Sequence, residues 1–200
     1  MTTRVVFTRN DQSLISRAIM WFSQRKRAPE RRCSHVFFKY KPGGIFSDWW
    51  VFEAMERGCW VSPYKKALGK QTIVAEFEIL VPAVAANKMI LDLVDDKAGD
   101  WYDFVGIWRW AWWVIGTRFF GTIVKALKIT FRPGRAHEGD FCSGLVLEGL
   151  RKLQSQFPDT DFGISMLTPR TSSPQNEIDI MFDHPVVYRG GLGPIPEDPK

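Results

Sequence analysis

Cys142 follows Gly139-Asp140-Phe141 and heads a run whose apolar residues recur at helical spacing. A cysteine at a helix N-terminus is the usual seat of a thiolate nucleophile, because the helix dipole and free N–H groups favour the charged form. A histidine from elsewhere in the chain is the natural base for it. Ser34-His35-Val36 offers one, in a strand-like run. If Cys142 and His35 meet in space, the chemistry is that of a cysteine hydrolase or acyltransferase.

The elements that carry these residues can be read from their periods. Cys142, Leu145, Val146, Gly149, Leu150 and Leu153 follow the i, i+3, i+4, i+7, i+8, i+11 rule, which places Cys142 on a core-facing stripe at its first turn. A structural cysteine would sit on the same stripe; the helix start and the preceding Gly139-Asp140 favour catalysis. His35 alternates with Phe37 and Lys39 on one strand, Lys41-Pro42-Gly43-Gly44 is turn chemistry, and the returning strand carries Glu53 between Val51 and Met55. A hairpin centred near Gly44 pairs positions that sum to 88, so His35 is expected to face Glu53 directly, at a Cβ separation of about 4.5–5.5 Å. A carboxylate there fixes the imidazole tautomer and supports the imidazolium. The alternative is a strand Glu turned to solvent, the commoner fate of that residue type.

Strands are expected at Arg4–Thr8, Ser34–Tyr40, Trp49–Met55 (broken at Gly58) and Thr72–Leu80. Helices are expected at Ser13–Gln24, Ala83–Val94, Trp101–Leu127 and Phe141–Phe157, with loops at Arg25–Arg32, Asp95–Asp100 and Pro133–Gly139. Residues 158–184 read as irregular, with short strands near Gly163–Leu167 and Ile178–Phe182. The whole is an α+β pattern, a single domain over 1–184 followed by a poorly ordered Gly/Pro-rich tail over 185–200.

At 45% hydrophobic, with nine Trp and 15 Phe, the chain can build a large aromatic core or an aromatic surface. Its net charge of +5 favours anionic partners only mildly. The basic cluster from Arg25 to Arg32 reads as a solvated loop; nucleic acid is not an expected partner, although a phosphate-bearing one stays open. Three cysteines do not make a disulfide framework, and Met1–Asn10 lacks the apolar core of a secretory signal. A reducing compartment is expected, cytoplasmic or virion-associated, with delivery by other means if the target lies outside the cell. Arg109, Arg118 and Lys125 interrupt the apolar stretch from Phe104 to Leu127, so a buried helix is favoured over a membrane span or membrane contact. Trp101–Phe120 remains the candidate surface for a membrane or protein partner.

Other constellations are weaker. His137-Glu138 could act as a local base but sits in a Gly-flanked loop, His184 precedes a proline near the tail, and Lys65-Lys66 reads as a solvated pair. Cys33, Cys59 and His35 match no zinc-ligand spacing, so neither a metal nor another cofactor is expected.

Taken in order, Ser34-His35-Val36, Phe52-Glu53-Ala54, Tyr102-Asp103-Phe104 and Phe141-Cys142-Ser143 resemble the circularly permuted, NlpC-like branch of the papain-like thiol hydrolases. This is the YiiX/YebB-like group, related to lecithin retinol acyltransferases, in which the histidine precedes the cysteine. The resemblance covers about Val5 to Pro169, and Thr168-Pro169 resembles the Thr-Pro step that follows the cysteine helix. It implies a papain-like antiparallel sheet packed on helices. It also implies Cys142 as nucleophile, His35 as base, Glu53 as orienter, and Tyr102, Asp103 and Ser143 lining the substrate pocket. The basic insert before Ser34 and the Trp-rich stretch after Phe104 depart from the group and bear on substrate class. The expected reaction is cleavage of an amide bond (peptide or isopeptide, as in peptidoglycan stems) through an acyl-enzyme. The alternatives are a lipid-directed thioesterase or acyltransferase with Trp101–Phe120 as its acyl site, and a non-enzymatic binding or virion structural protein that keeps the fold. The oligomeric state is not legible.

Overall fold

The computed structural model describes residues 2–13, 16–17, 19–20, 28–42, 48–55, 58–100, 142–165, 167 and 173–196. Their architecture is α+β: one six-stranded antiparallel sheet with helices packed on it. The strands are β1 (Thr3–Arg9), β2 (His35–Tyr40), β3 (Trp50–Met55), β4 (Gly58–Pro63), β5 (Thr72–Ile79) and β6 (Tyr188–Leu192), in the spatial order β4-β3-β2-β1-β5-β6. The helices are α1 (Tyr64–Leu68), α2 (Ala83–Lys97), α3 (Cys142–Gln156) and α4 (Pro174–Asp183).

Alternation along the strands divides the sheet into two faces. Val36, Phe38 and Tyr40 on β2 join Phe52, Ala54, Phe77 and Ile79 in the main core, against Leu145, Val146, Leu150 and Leu153 of α3 and Met89, Ile90 and Leu93 of α2. Phe37 belongs to a smaller cluster with Val6 and Val51 on the other face. There Lys39 and Arg4, both buried, share the fully buried Glu76 carboxyl at 3.1 and 3.0 Å. Removing one partner of such a group strands a buried charge, at a cost of about 3–5 kcal/mol. The central strand β2 is thereby fixed on both faces.

Several boundaries differ from expectation. Gly58 does not merely end β3; it opens β4, which pairs with β3 from Met55↔Gly58 to Trp50↔Pro63. Its φ of 108° and the Asp100 carbonyl, 2.3 Å from where a Cβ would stand, both require glycine there. Helix α2 runs on to Lys97, past the expected loop start at Asp95. In place of a strand near Ile178–Phe182 stands α4, which Ser173 caps by accepting from the Asn176 N–H, with Pro174 in its first turn. Ile178 and Met181 are buried one helical turn apart, a helical period rather than an alternation. Residues 163–165 and 167 form turns, not a strand. The expected tail is partly domain: β6 pairs with β5 from Glu76↔Gly191 to Ile79↔Tyr188, and the buried Tyr188 hydroxyl donates to the Phe162 carbonyl at 3.1 Å. Gly190 lets the strand lie close, since a Cβ there would stand 2.1 Å from the Glu76 carbonyl oxygen.

Of the expected Ser13–Gln24 helix, Ser13, Ser16, Arg17, Ile19 and Met20 are described; Ser13 is not helical and the other four are. The basic loop ends in a 3-10 turn at Pro29–Arg31. Trp101–Leu127, Pro133–Gly139, Thr168 and Pro169 lie outside the described residues. No helix among the described residues is long and apolar enough to cross a membrane.

Candidate active site

Cys142 is the first residue of α3, and every member of its predicted stripe is buried: Cys142, Leu145, Val146, Gly149, Leu150 and Leu153. Gly149 sets how closely α3 approaches the sheet. A Cβ there would lie 2.6 Å from Phe38 Cζ and 2.9 Å from Leu93 Cδ1, so bare backbone is needed for α3 to lie between β2 and α2. This contact brings the head of α3 to the start of β2, where His35 stands.

His35 is not directly opposite Glu53. The observed pairs Phe38↔Phe52, Lys39↔Val51 and Tyr40↔Trp50 sum to 90, so the register is shifted by two residues from the expected one. A two-residue shift conserves parity and leaves both side chains on one face. They meet on the diagonal, with His35 Nε2 2.9 Å from Glu53 Oε2. Glu53 is 4% exposed, which excludes the solvent-facing alternative. The Phe37 ring, 5.7 Å from the imidazole between centroids, supports His35 along the strand.

With Nε2 held by Glu53, Nδ1 is the ring nitrogen available to Cys142. The two side chains hydrogen-bond and attract one another electrostatically. The β2–β3 ladder stops at Phe38↔Phe52, before Val36. The Val36 N–H instead donates to the Cys142 sulfur, as does the N–H of Ser143. The thiol is thus held by one imidazole and two backbone donors, from the start of β2 and the first turn of α3.

The protonation states follow. Burial opposes charge on both partners. At His35 it is outweighed by the hydrogen bonds to Cys142 and Glu53 and by their negative charge, and the imidazole is pushed up from 6.5 to about 10. At Cys142 burial is outweighed by the hydrogen bond and charge of His35 and by the two backbone donors, and the thiol is held below its ordinary value. Both shifts favour the thiolate–imidazolium form of the pair, the reactive form of a cysteine nucleophile. His35 keeps 14% of its side chain exposed, so the pair is sheltered without being sealed.

The structure therefore brings together Cys142, His35 and Glu53, and places Ser143 beside them, buried and contributing its N–H. Tyr102, Asp103 and His137-Glu138 lie outside the described residues. Cys33 and Cys59 are in no disulfide and are buried in the core. His184 sits apart from the site, with Nδ1 2.9 Å from the Ile180 carbonyl oxygen. One contributor escaped sequence reasoning: the Val36 N–H, which carries no side-chain signal. Compared with family models, curated proteins and solved structures, the chain matches none of them.

Proposed function

We propose that the protein is a cysteine hydrolase of papain-like architecture, in the permuted order that its sequence resembles, and that it cleaves an amide bond. The observation that carries this reading is the paired state of Cys142 and His35. A thiolate at a helix start, an imidazolium beside it and a carboxyl on the far ring nitrogen are the three parts that acyl transfer needs. Cys142 would attack the carbonyl, and His35 would pass its proton to the leaving amine. Water, deprotonated by His35, would then release the acyl group and restore the thiol pair. The tetrahedral oxyanion would be held by backbone N–H groups at the head of α3. Peptide or isopeptide bonds of a cell wall are the substrate class that we assign on the resemblance.

The test is selective alkylation. Iodoacetamide at neutral pH should modify Cys142 rapidly and leave the core thiols Cys33 and Cys59 intact. Peptide and cell-wall fragments should then be turned over by the wild type and not by Cys142→Ala. Labelling of Cys142 no faster than that of the buried thiols would overturn the reading.

A further inference from the structure

We propose that the hydroxyls of Ser16 and Ser34 form a tether that positions His35 and the Val36 N–H on the Cys142 sulfur. This role rests on the reading of Cys142 and His35 given above: the two serines act through the start of β2, as positioning residues.

The two residues of β2 that meet the thiol lie where the sheet holds that strand least. On one flank the β2–β3 ladder ends at Phe38↔Phe52, so His35 and Val36 lie beyond its last pair. On the other flank β1 pairs with β2 as far as Thr8↔His35, and the Ser34 N–H donates to the Thr8 carbonyl at 2.9 Å. A strand end bonded along one flank frays more readily than one bonded along both. Ser34 supplies a second hold. Its hydroxyl is hydrogen-bonded to that of Ser16, and both side chains are buried. A buried hydroxyl is costly without a partner, so each fixes the place of the other.

Ser16 is itself fixed by local bonds that start from Asn10, the residue after β1. The Asn10 side-chain oxygen accepts from the N–H groups of Gln12 and Ser13 at 3.0 and 3.2 Å, as an N-cap does. The Ser16 N–H donates to Ser13 Oγ at 3.3 Å, and the Arg17 N–H to the Ser13 carbonyl at 3.0 Å. The Asn10 N–H donates to Ser16 Oγ at 3.1 Å, the same oxygen that meets Ser34. A ring of bonds is thus closed: from β1 to Asn10, across to Ser16, on to Ser34, and back through the Ser34 N–H to Thr8 of β1. His35 is the next residue. A displacement of about 1 Å can cost a reacting pair as much as ~10²-fold in rate, even when its origin lies away from the chemistry.

The pH profile of Cys142 alkylation by iodoacetamide tests the tether. Ser34→Ala and Ser16→Ala should each slow labelling at neutral pH by about three- to tenfold, the size of one net hydrogen bond. In both, the rise of the rate with pH should move up toward the ordinary thiol value by the same amount. The double variant should move it no further, because the three proteins lose one shared contact. Ser16→Ala also removes the acceptor of the Asn10 N–H, so it should melt lower than Ser34→Ala. Ser173→Ala, which removes the cap of α4, should lower the melting temperature and leave the profile where it was. A wild-type profile in either single serine variant, shifts that add in the double variant, or a profile that moves with melting in Ser173→Ala as well would overturn the tether. In each of those cases rapid labelling of the wild type keeps the hydrolase reading standing. Slow labelling of the wild type removes that reading, and the tether with it.

Discussion

His35 and Glu53 hydrogen-bond at 2.9 Å although they are not paired across the sheet. The contact is diagonal, and it holds because both residues keep the same parity on adjacent strands. Their position is as much a consequence of where the β2–β3 ladder ends as of the residues themselves. Beyond Phe38↔Phe52 the two strands stop pairing, and Val36 turns its N–H to the Cys142 sulfur.

Glu53→Gln should keep the hydrogen bond and remove the negative charge from His35 Nε2. The imidazolium is then less supported, and the alkaline limb of the rate should move down from about 10. Loss of an orienting carboxylate costs up to about 10⁴ in rate in serine hydrolases; a cysteine thiolate depends less on its base, so a loss of about ten- to a hundredfold is expected. The pH–rate profiles of the two proteins decide this, and an unmoved alkaline limb refutes it.

The rate of Cys142 alkylation in the wild type should already be high well below the ordinary thiol range. It should stay high as pH rises toward about 10, where His35 loses its proton. In His35→Gln the thiol should titrate nearer its ordinary value, and neutral-pH labelling should slow by at least about tenfold. Alkylation kinetics across pH 5 to 11 measure both limbs.

The same shifts set a stability window. The raised His35 contributes fully below pH 6.5 and is lost as pH rises through about 10. The lowered Cys142 contributes fully above pH 9.0 and is lost as pH falls through its folded value. Above pH 9.0 the unfolded pair has lost both protons while folded His35 keeps its own, so the contribution of the pair falls as pH rises toward about 10. The difference in melting temperature between the wild type and the Cys142→Ala, His35→Gln double variant should therefore shrink from about pH 9 to about pH 10. A difference that grows over that range would contradict it.

Gly149→Ala should be destabilising by about 1–3 kcal/mol, because a methyl group would press on Phe38 and Leu93 in a close-packed core. The displaced head of α3 should also slow Cys142 alkylation. Denaturant unfolding and alkylation rates, measured on the same variant, test whether packing behind the helix positions the thiol. Full stability together with full reactivity would show that it does not.

The sequence by itself determined the elements that bear the site. The stripe from Cys142 to Leu153 is a helical period, and β2 and β3 are short β-rich runs separated by turn residues, so local pattern was sufficient to place Cys142 at a helix start and His35 and Glu53 on neighbouring strands. Parity alone kept His35 and Glu53 on one face, which is why a register misjudged by two residues did no harm. Local pattern failed where the backbone answers to distant partners. β6 forms from Tyr188-Arg189-Gly190-Gly191-Leu192, a poor strand in isolation, because the edge of β5 offers it hydrogen bonds and Gly190 permits close approach. Tertiary structure also decided everything that crosses between elements: the Val36 N–H on the thiol, and the charge on Cys142 and His35. Each depends on the distance between groups far apart in the chain, and the balance between burial and pairing that sets a charge exists only once those groups have met.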